Sequence, residues 1–228
     1  MHAEYELWVL EEYLTTVYAS LVTLEAEWPV HLAERVRNAR HSGDEGEWTV
    51  ASQEAHHLQT DVIPRFHCNL AALGIYSTLE FCLQDISRGC AKMLGLSLSL
   101  SDLSGSDILD RSRKFFTHVA RVPFCSSNPD WERLQNLSDV RNCIVHAAGR
   151  IDRMNSSSQS RLENMIKSKK GLQKVSWDDC MMVEKQFLET SRQVVDSVIR
   201  KLVQDAKAEI DRVRAESASA DNAPDLTQ

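Results

Sequence analysis

The segment WERLQNLSDVRNCIVHAAGRI, residues 131–151, places Arg141, Asn142 and His146 near the end of an otherwise apolar helical pattern. A histidine titrates near neutrality and serves as base or acid, an arginine grips a phosphate through two parallel hydrogen bonds, and an asparagine orients either partner. Asn142 and His146 are four residues apart, so on a helix they share a face. Arg141 precedes His146 by five, which rotates the two by about 140°. A long arginine side chain can still reach round to one groove. Each residue also has an ordinary structural use: Arg141 could pair with Asp139, Asn142 could bond a loop carbonyl, and His146 could sit against the negative end of the helix dipole. Two other arginine–histidine pairs exist, RKFFTH from Arg113 to His118 and the longer-spaced Arg35 with His41, but neither has the asparagine.

Helices must position these groups. Proline and glycine are sparse, apolar residues recur three or four apart, and strand-like alternation is nearly absent, so the pattern predicts an all-α bundle. A first helix is expected over roughly residues 3–40, with Leu7, Leu10, Leu14, Val17, Leu21 and Leu24 as its stripe and Pro29 as a kink or a new start. A second helical region runs from about Trp48 to Leu94, interrupted near Pro64, with Leu73, Tyr76, Leu79, Leu83 and Ile86 facing inward. Leu96 to Ser104 alternates serine and leucine and reads as a loop. Ser106 is the expected N-cap of a short helix through Arg121, and Asn128 with Pro129 opens the motif helix, which Gly149 stops. Residues 152–176, with SSSQS and KSKKG, read as a mobile insertion. A final helix from about Asp178 carries Val183, Phe187, Val194, Val198 and Leu202. The expected organisation is a single helical domain over 1–215 with a disordered tail, ESASADNAPDLTQ, over 216–228.

An Arg, a polar residue, three variable residues and a His, seen here as RNCIVH, resembles the R-polar-x3-H signature of the HEPN superfamily. The preceding YSTLEFCLQDI, residues 76–86, is similar to the second long helix of that superfamily, where an acidic residue recurs at the Glu80 position. The resemblance spans roughly residues 3–205. It implies an HEPN-like bundle of long antiparallel helices and a homodimer whose two motifs line one cleft. It also implies a catalytic set of Arg141, Asn142, His146 and Glu80 that acts as a metal-independent endoribonuclease without a cofactor, in the manner of toxins and defence effectors. RNA would be the substrate, and an antitoxin or a larger defence protein a further partner. The chemistry is self-consistent, because an RNA strand carries its own nucleophile, the 2′-hydroxyl, and needs only proton transfer and charge stabilisation to be cut. Active members often carry Tyr or another polar group two residues past the His, whereas this chain has Ala147, Ala148 and Gly149. That departure supports an alternative, a non-catalytic HEPN-like module for protein–protein interaction. A helical adaptor outside the family is a further alternative.

Composition narrows the field. The net charge of −7 leaves no broad basic surface, so contact with nucleic acid would have to be local, through Arg150, Arg153, Arg161 and the run Lys167, Lys169, Lys170. Those lysines read equally well as a solvated face. Six scattered cysteines without a CxxC pair fit buried thiols in a reducing cytoplasm. His56, His57, His67 and Cys68 lie close in sequence but match no common zinc spacing. No stretch approaches the roughly 20 apolar residues of a membrane span, and the opening residues lack a signal-peptide pattern, so a cytoplasmic protein is expected. Glycine-rich phosphate loops, nucleophile elbows and internal repeats are missing from the sequence.

Overall fold

A computed structural model describes residues 3–41, 45–125, 127–175 and 180–221, with the side chains at 24, 25, 28, 128 and 218–221 outside the described set. The described residues are all-α apart from one small hairpin. In order they form α1 (Ala3–His41), α2 (Glu45–His57), α3 (Ile63–Met93), α4 (Ile108–Lys114), α5 (Asn128–Ala147), α6 (Ser156–Lys167), β1 (Leu172–Lys174), β2 (Met181–Val183) and α7 (Lys185–Asp221). Among these residues no helix is long and apolar enough to cross a membrane.

The chain divides into two compact units, each assembled from separated stretches. The first comprises the described residues of Met1–Trp8, Ser77–Gln135 and Arg192–Gln228; the second, those of Val9–Tyr76 and Asn136–Ser191. In the first, Leu79, Leu83 and Ile86 of α3 and Val195, Ile199 and Leu202 of α7 are buried, together with Phe115, Phe116 and Phe124. The aromatic rings stack in series: Phe115 meets Phe116 at 5.3 Å between centroids, Phe116 meets Phe124 at 5.5 Å, and Phe124 meets Trp131 edge-on at 6.5 Å. In the second, Leu10, Leu14 and Val17 of α1, Ile75 of α3, Val140 and Cys143 of α5, Leu162 of α6 and Leu188 of α7 are buried.

Several element boundaries differ from the sequence expectation. α1 runs without interruption through Pro29, and its stripe holds as far as Val17, while Leu21 is only half-buried and the Leu24 side chain lies outside the described residues. The break expected near Pro64 is a π turn over Leu58–Val62, in which the Ile63 N–H reaches back to Leu58 O. Widening the ladder just before a residue with no N–H lets the chain stay helical. Asp107, not Ser106, caps α4, its carboxylate accepting from the Asp110 N–H at 2.9 Å. α4 is followed by a π turn, Phe115–Val119, and Arg121 has φ +57°. Ser127, not Asn128, caps α5: its hydroxyl accepts from the Asp130 N–H at 3.3 Å and donates to the Asp130 carboxylate at 2.9 Å.

The largest corrections concern residues 152–183. The stretch expected to be a mobile insertion forms α6, capped by Asn155 and seated by Leu162 and Met165, and then the hairpin strand β1. β1 pairs antiparallel with β2, Leu172 opposite Val183, so Val183 lies in a strand and the last helix begins at Lys185. Residues 176–179, including the expected helix start at Asp178, lie outside the described residues. α7 continues to Asp221, so residues 216–221, expected to be disordered, are helical; 222–228 lie outside the described residues.

Gly171 opens the hairpin with φ +77°, and a Cβ there would fall 2.6 Å from the Phe187 backbone N. Gly171→Ala is therefore expected to cost about 2 kcal/mol or more, from left-handed strain and overpacking. At this chain length that lowers the melting temperature by roughly 4–8 °C. An unchanged thermal melt would show that the hairpin does not sit against α7 as described.

Candidate functional site

The motif lies in the second unit, on the last turns of α5, and the sequence around it explains why that helix ends where it does. Ala148 and Gly149 both have positive φ, +53° and +81°, which turns the chain sharply out of the helix. The Gly149 N–H bonds Cys143 O and the Arg150 N–H bonds Ala147 O, both at 2.9 Å. β2 then fastens the exit: the Met181 N–H donates to Gly149 O at 2.8 Å, and Arg150 bridges Cys180. Ala147 is buried and Ala148 exposed. The three small residues after the histidine thus form the helix stop.

Two residues before Arg141, Asp139 is 5% exposed, so its carboxylate must be paired. Arg161 of α6 donates to both its oxygens, Nε to Oδ2 and Nη2 to Oδ1, and the Ser158 hydroxyl donates to Oδ1 at 2.7 Å. Bonding to Asp139 also raises the Arg161 pKa, so this cation is permanent. Asp139 is consequently not the partner of Arg141.

Arg141 instead curls toward the end of its own helix. Its Nη1 donates to Asn142 Oδ1 at 2.9 Å and lies 3.0 Å from His146 Nε2. A guanidinium only donates, so Nε2 must carry the lone pair and the ring proton sits on Nδ1. The guanidinium stands 5.6 Å from the Tyr76 ring centroid, over its face, and the Tyr76 hydroxyl is 3.4 Å from that of Ser138. Arg141 and Asn142 are half-buried, while Val145 and His146 are exposed. Both acceptors use one nitrogen of the arginine. Among the described residues its Nε and Nη2, the edge suited to a bidentate anion, make no hydrogen bond.

The structure therefore brings together Arg141, Asn142 and His146, and adds Tyr76, which was read from the sequence only as core. Its ring 65 residues upstream of Arg141 offers no spacing signal. Glu80 is half-buried, lies in the first unit, and is not a member of this hydrogen-bonded cluster. The rival matches are not assembled. Arg113 lies over the Trp131 ring at 4.7 Å, with His118 exposed in the π turn. Arg35 pairs with Glu54 at 2.8 Å, and His41 bonds Arg37 O. Of the basic residues considered for phosphate contact, Arg161 is held by Asp139, Arg150 is paired with Asp152 at 3.0 Å, and Arg153 and the three lysines are exposed. Burial pushes the Cys143 thiol up to about 12, with Cys180, Asp139 and Asp152 adding to the effect, so it stays protonated and is no rival nucleophile. Among the described residues no group of three or more His, Cys, Asp or Glu is placed to hold a metal ion, and His57 bonds Asp61 at 3.0 Å.

The chain matches no family model, no curated protein and no solved structure. The site therefore stands on its own geometry.

Arg161→Ala leaves the Asp139 carboxylate with only a serine hydroxyl and is expected to destabilise the fold by about 1–3 kcal/mol. Arg150→Ala, which removes a more exposed pair, should cost under about 1 kcal/mol. Urea unfolding of the two variants checks the contrast, and equal midpoints would show that the buried pair contributes nothing special.

Proposed function

We propose that this chain is a metal-independent endoribonuclease of the HEPN type, acting as a toxin or defence effector. The observation that supports this most is the arginine nitrogen shared between Asn142 Oδ1 and His146 Nε2. It gathers an imidazole and a permanent cation within one hydrogen bond of each other. The remaining edge of Arg141 receives a phosphate, and its movement toward that phosphate frees the Nε2 lone pair. His146 then takes the 2′-hydroxyl proton as the oxygen attacks phosphorus and the bond to the 5′-oxygen breaks. Arg141 balances the charge gathering on the phosphorane. The products are a 2′,3′-cyclic phosphate and a 5′-hydroxyl end, and DNA is inert because it lacks the attacking group.

The departing 5′-oxygen needs a proton, and one histidine does not readily supply both transfers. A second copy of the chain provides the other, its motif lining the same cleft and doubling the local positive charge within an acidic protein. Exposed Val145, beside His146, is an apolar residue such a partner would cover. A second reading, a non-catalytic module that binds an antitoxin or a larger defence protein, is favoured by Ala148, since the position two residues past the histidine carries no polar group.

RNA is expected to be cut in the presence of EDTA. His146→Ala and Arg141→Ala should each slow cleavage by about 10²- to 10⁴-fold, while His118→Ala leaves it unchanged. If wild type cuts and His146→Ala cuts equally fast, the site is misassigned; if wild type cuts no RNA, the binding-module reading takes its place. Light scattering at micromolar concentration should give twice the 25.8 kDa chain mass. A monomer that stays monomeric with RNA would remove the composite site.

A further inference from the structure

The first unit contains a cavity of about 420 Å³ that the reading above does not use, lined by Ser87 and Arg88 of α3, Leu100 and Ser101 of the 3₁₀ turn that follows, and Ile108 and Arg111 of α4. This is ample room for a small organic ligand. Arg111 is half-buried, its single hydrogen bond runs from Nε to Asp107 O at 3.3 Å, and among the described residues no carboxylate pairs with it. Its stem is fixed, because a Cβ at Gly105 would come within 2.7 Å of Arg111 Cγ. Arg88, largely exposed, spends Nε on Gln84 O at 3.3 Å and forms a loose ion pair with Asp85, Nη2 to Oδ1 at 3.9 Å. In a chain of net charge −7, two arginines on one cavity, one of them with no carboxylate among the described residues and the other only loosely paired, point to an anion.

The serines say what else the ligand carries. Ser99 gives its single proton to Asp102 Oδ2 at 2.6 Å, so in the 2.8 Å contact between Ser99 and Ser101 it is Ser101 that donates. Ser87 gives its proton to Gln84 O at 2.9 Å. Ser87 and Ser101 have therefore spent their protons and offer lone pairs to a donor on the ligand, such as a hydroxyl. Leu100 and Ile108 are buried and apolar beneath them. Two guanidiniums match a dianionic phosphate better than a carboxylate, whose two oxygens one arginine already satisfies. We propose that this cavity binds a phosphate monoester of a small, hydroxyl-bearing molecule, with the phosphate on Arg88 and Arg111 and the hydroxyls on Ser87 and Ser101.

Titration calorimetry of the full chain tests this with ribose 5-phosphate, AMP, ribose and inorganic phosphate. Both esters should bind one per chain, ribose should not, and inorganic phosphate should bind about tenfold more weakly, since it forgoes the hydroxyl contacts. A tighter AMP identifies a nucleotide as the natural form, and a tighter ribose 5-phosphate a sugar phosphate. Arg88→Gln and Arg111→Gln should each weaken ester binding about tenfold or more at an unchanged melting temperature, and His146→Ala should leave it untouched. The proposal is overturned if neither ester binds, if inorganic phosphate binds as tightly as the esters, if both glutamine variants bind like wild type, or if His146→Ala abolishes binding. None of these outcomes depends on whether the chain cuts RNA.

Discussion

A carboxylate sunk into the side of α5 needs hydrogen-bond partners, and the way Asp139 acquires them links α5 to α6 within the second unit. Its two oxygens take Arg161 and Ser158, both on α6, so α6 is tied to the motif helix by charged hydrogen bonds. From α6 the chain reaches β1, β1 pairs with β2, and β2 binds the backbone just past the end of α5. The helix end that carries His146 is thus fixed from both sides. Asp139 also decides the neighbouring chemistry by what it leaves alone. Because its oxygens are satisfied by Arg161, Arg141 is not drawn to it and is available to the asparagine and histidine of its own last turns.

The arginine–histidine contact bears on the ring's tautomer as well as its position. With an arginine donor at Nε2, the tautomer that completes the contact carries its proton on Nδ1 and its lone pair on Nε2. An anion arriving on the free edge of Arg141 would compete for the same side chain. In such an arrangement anion binding and exposure of the ring nitrogen would be one event, and Tyr76 lies against the guanidinium that would have to move.

How much of this was readable depends on the range of the interaction. Helical spacing located α1, α3, α5 and the buried face of α7 at Phe187, Val194, Val198 and Leu202, because burial at every third or fourth residue leaves a local record. The Arg141, Asn142 and His146 cluster was legible for the same reason: all three sit within two turns. Boundaries set by one side chain were missed by a residue, as with Asp107 and Ser127, since neighbouring serine, asparagine and aspartate compete for the cap. The hairpin was missed because strands as short as Leu172–Lys174 and Met181–Val183 show no alternation to detect. α6 was taken for an insertion because its serines mask the apolar pair Leu162 and Met165, and because Asp139, which its Arg161 and Ser158 bond, is distant in sequence. Tyr76 was recognised as buried but not as a lid on the arginine, for want of any local sign.

The stop after His146 has a consequence for how this chain can diverge. Ala148 holds a left-handed backbone that costs an ordinary residue roughly 1 kcal/mol or more, and that asparagine and aspartate tolerate better. Here the alanine fills a slot whose backbone already suits a polar occupant and whose side chain faces solvent. An asparagine or aspartate at 148 would therefore relax the turn while presenting a polar side chain to solvent two residues past His146, so this position can gain a polar group without loss of the helix stop.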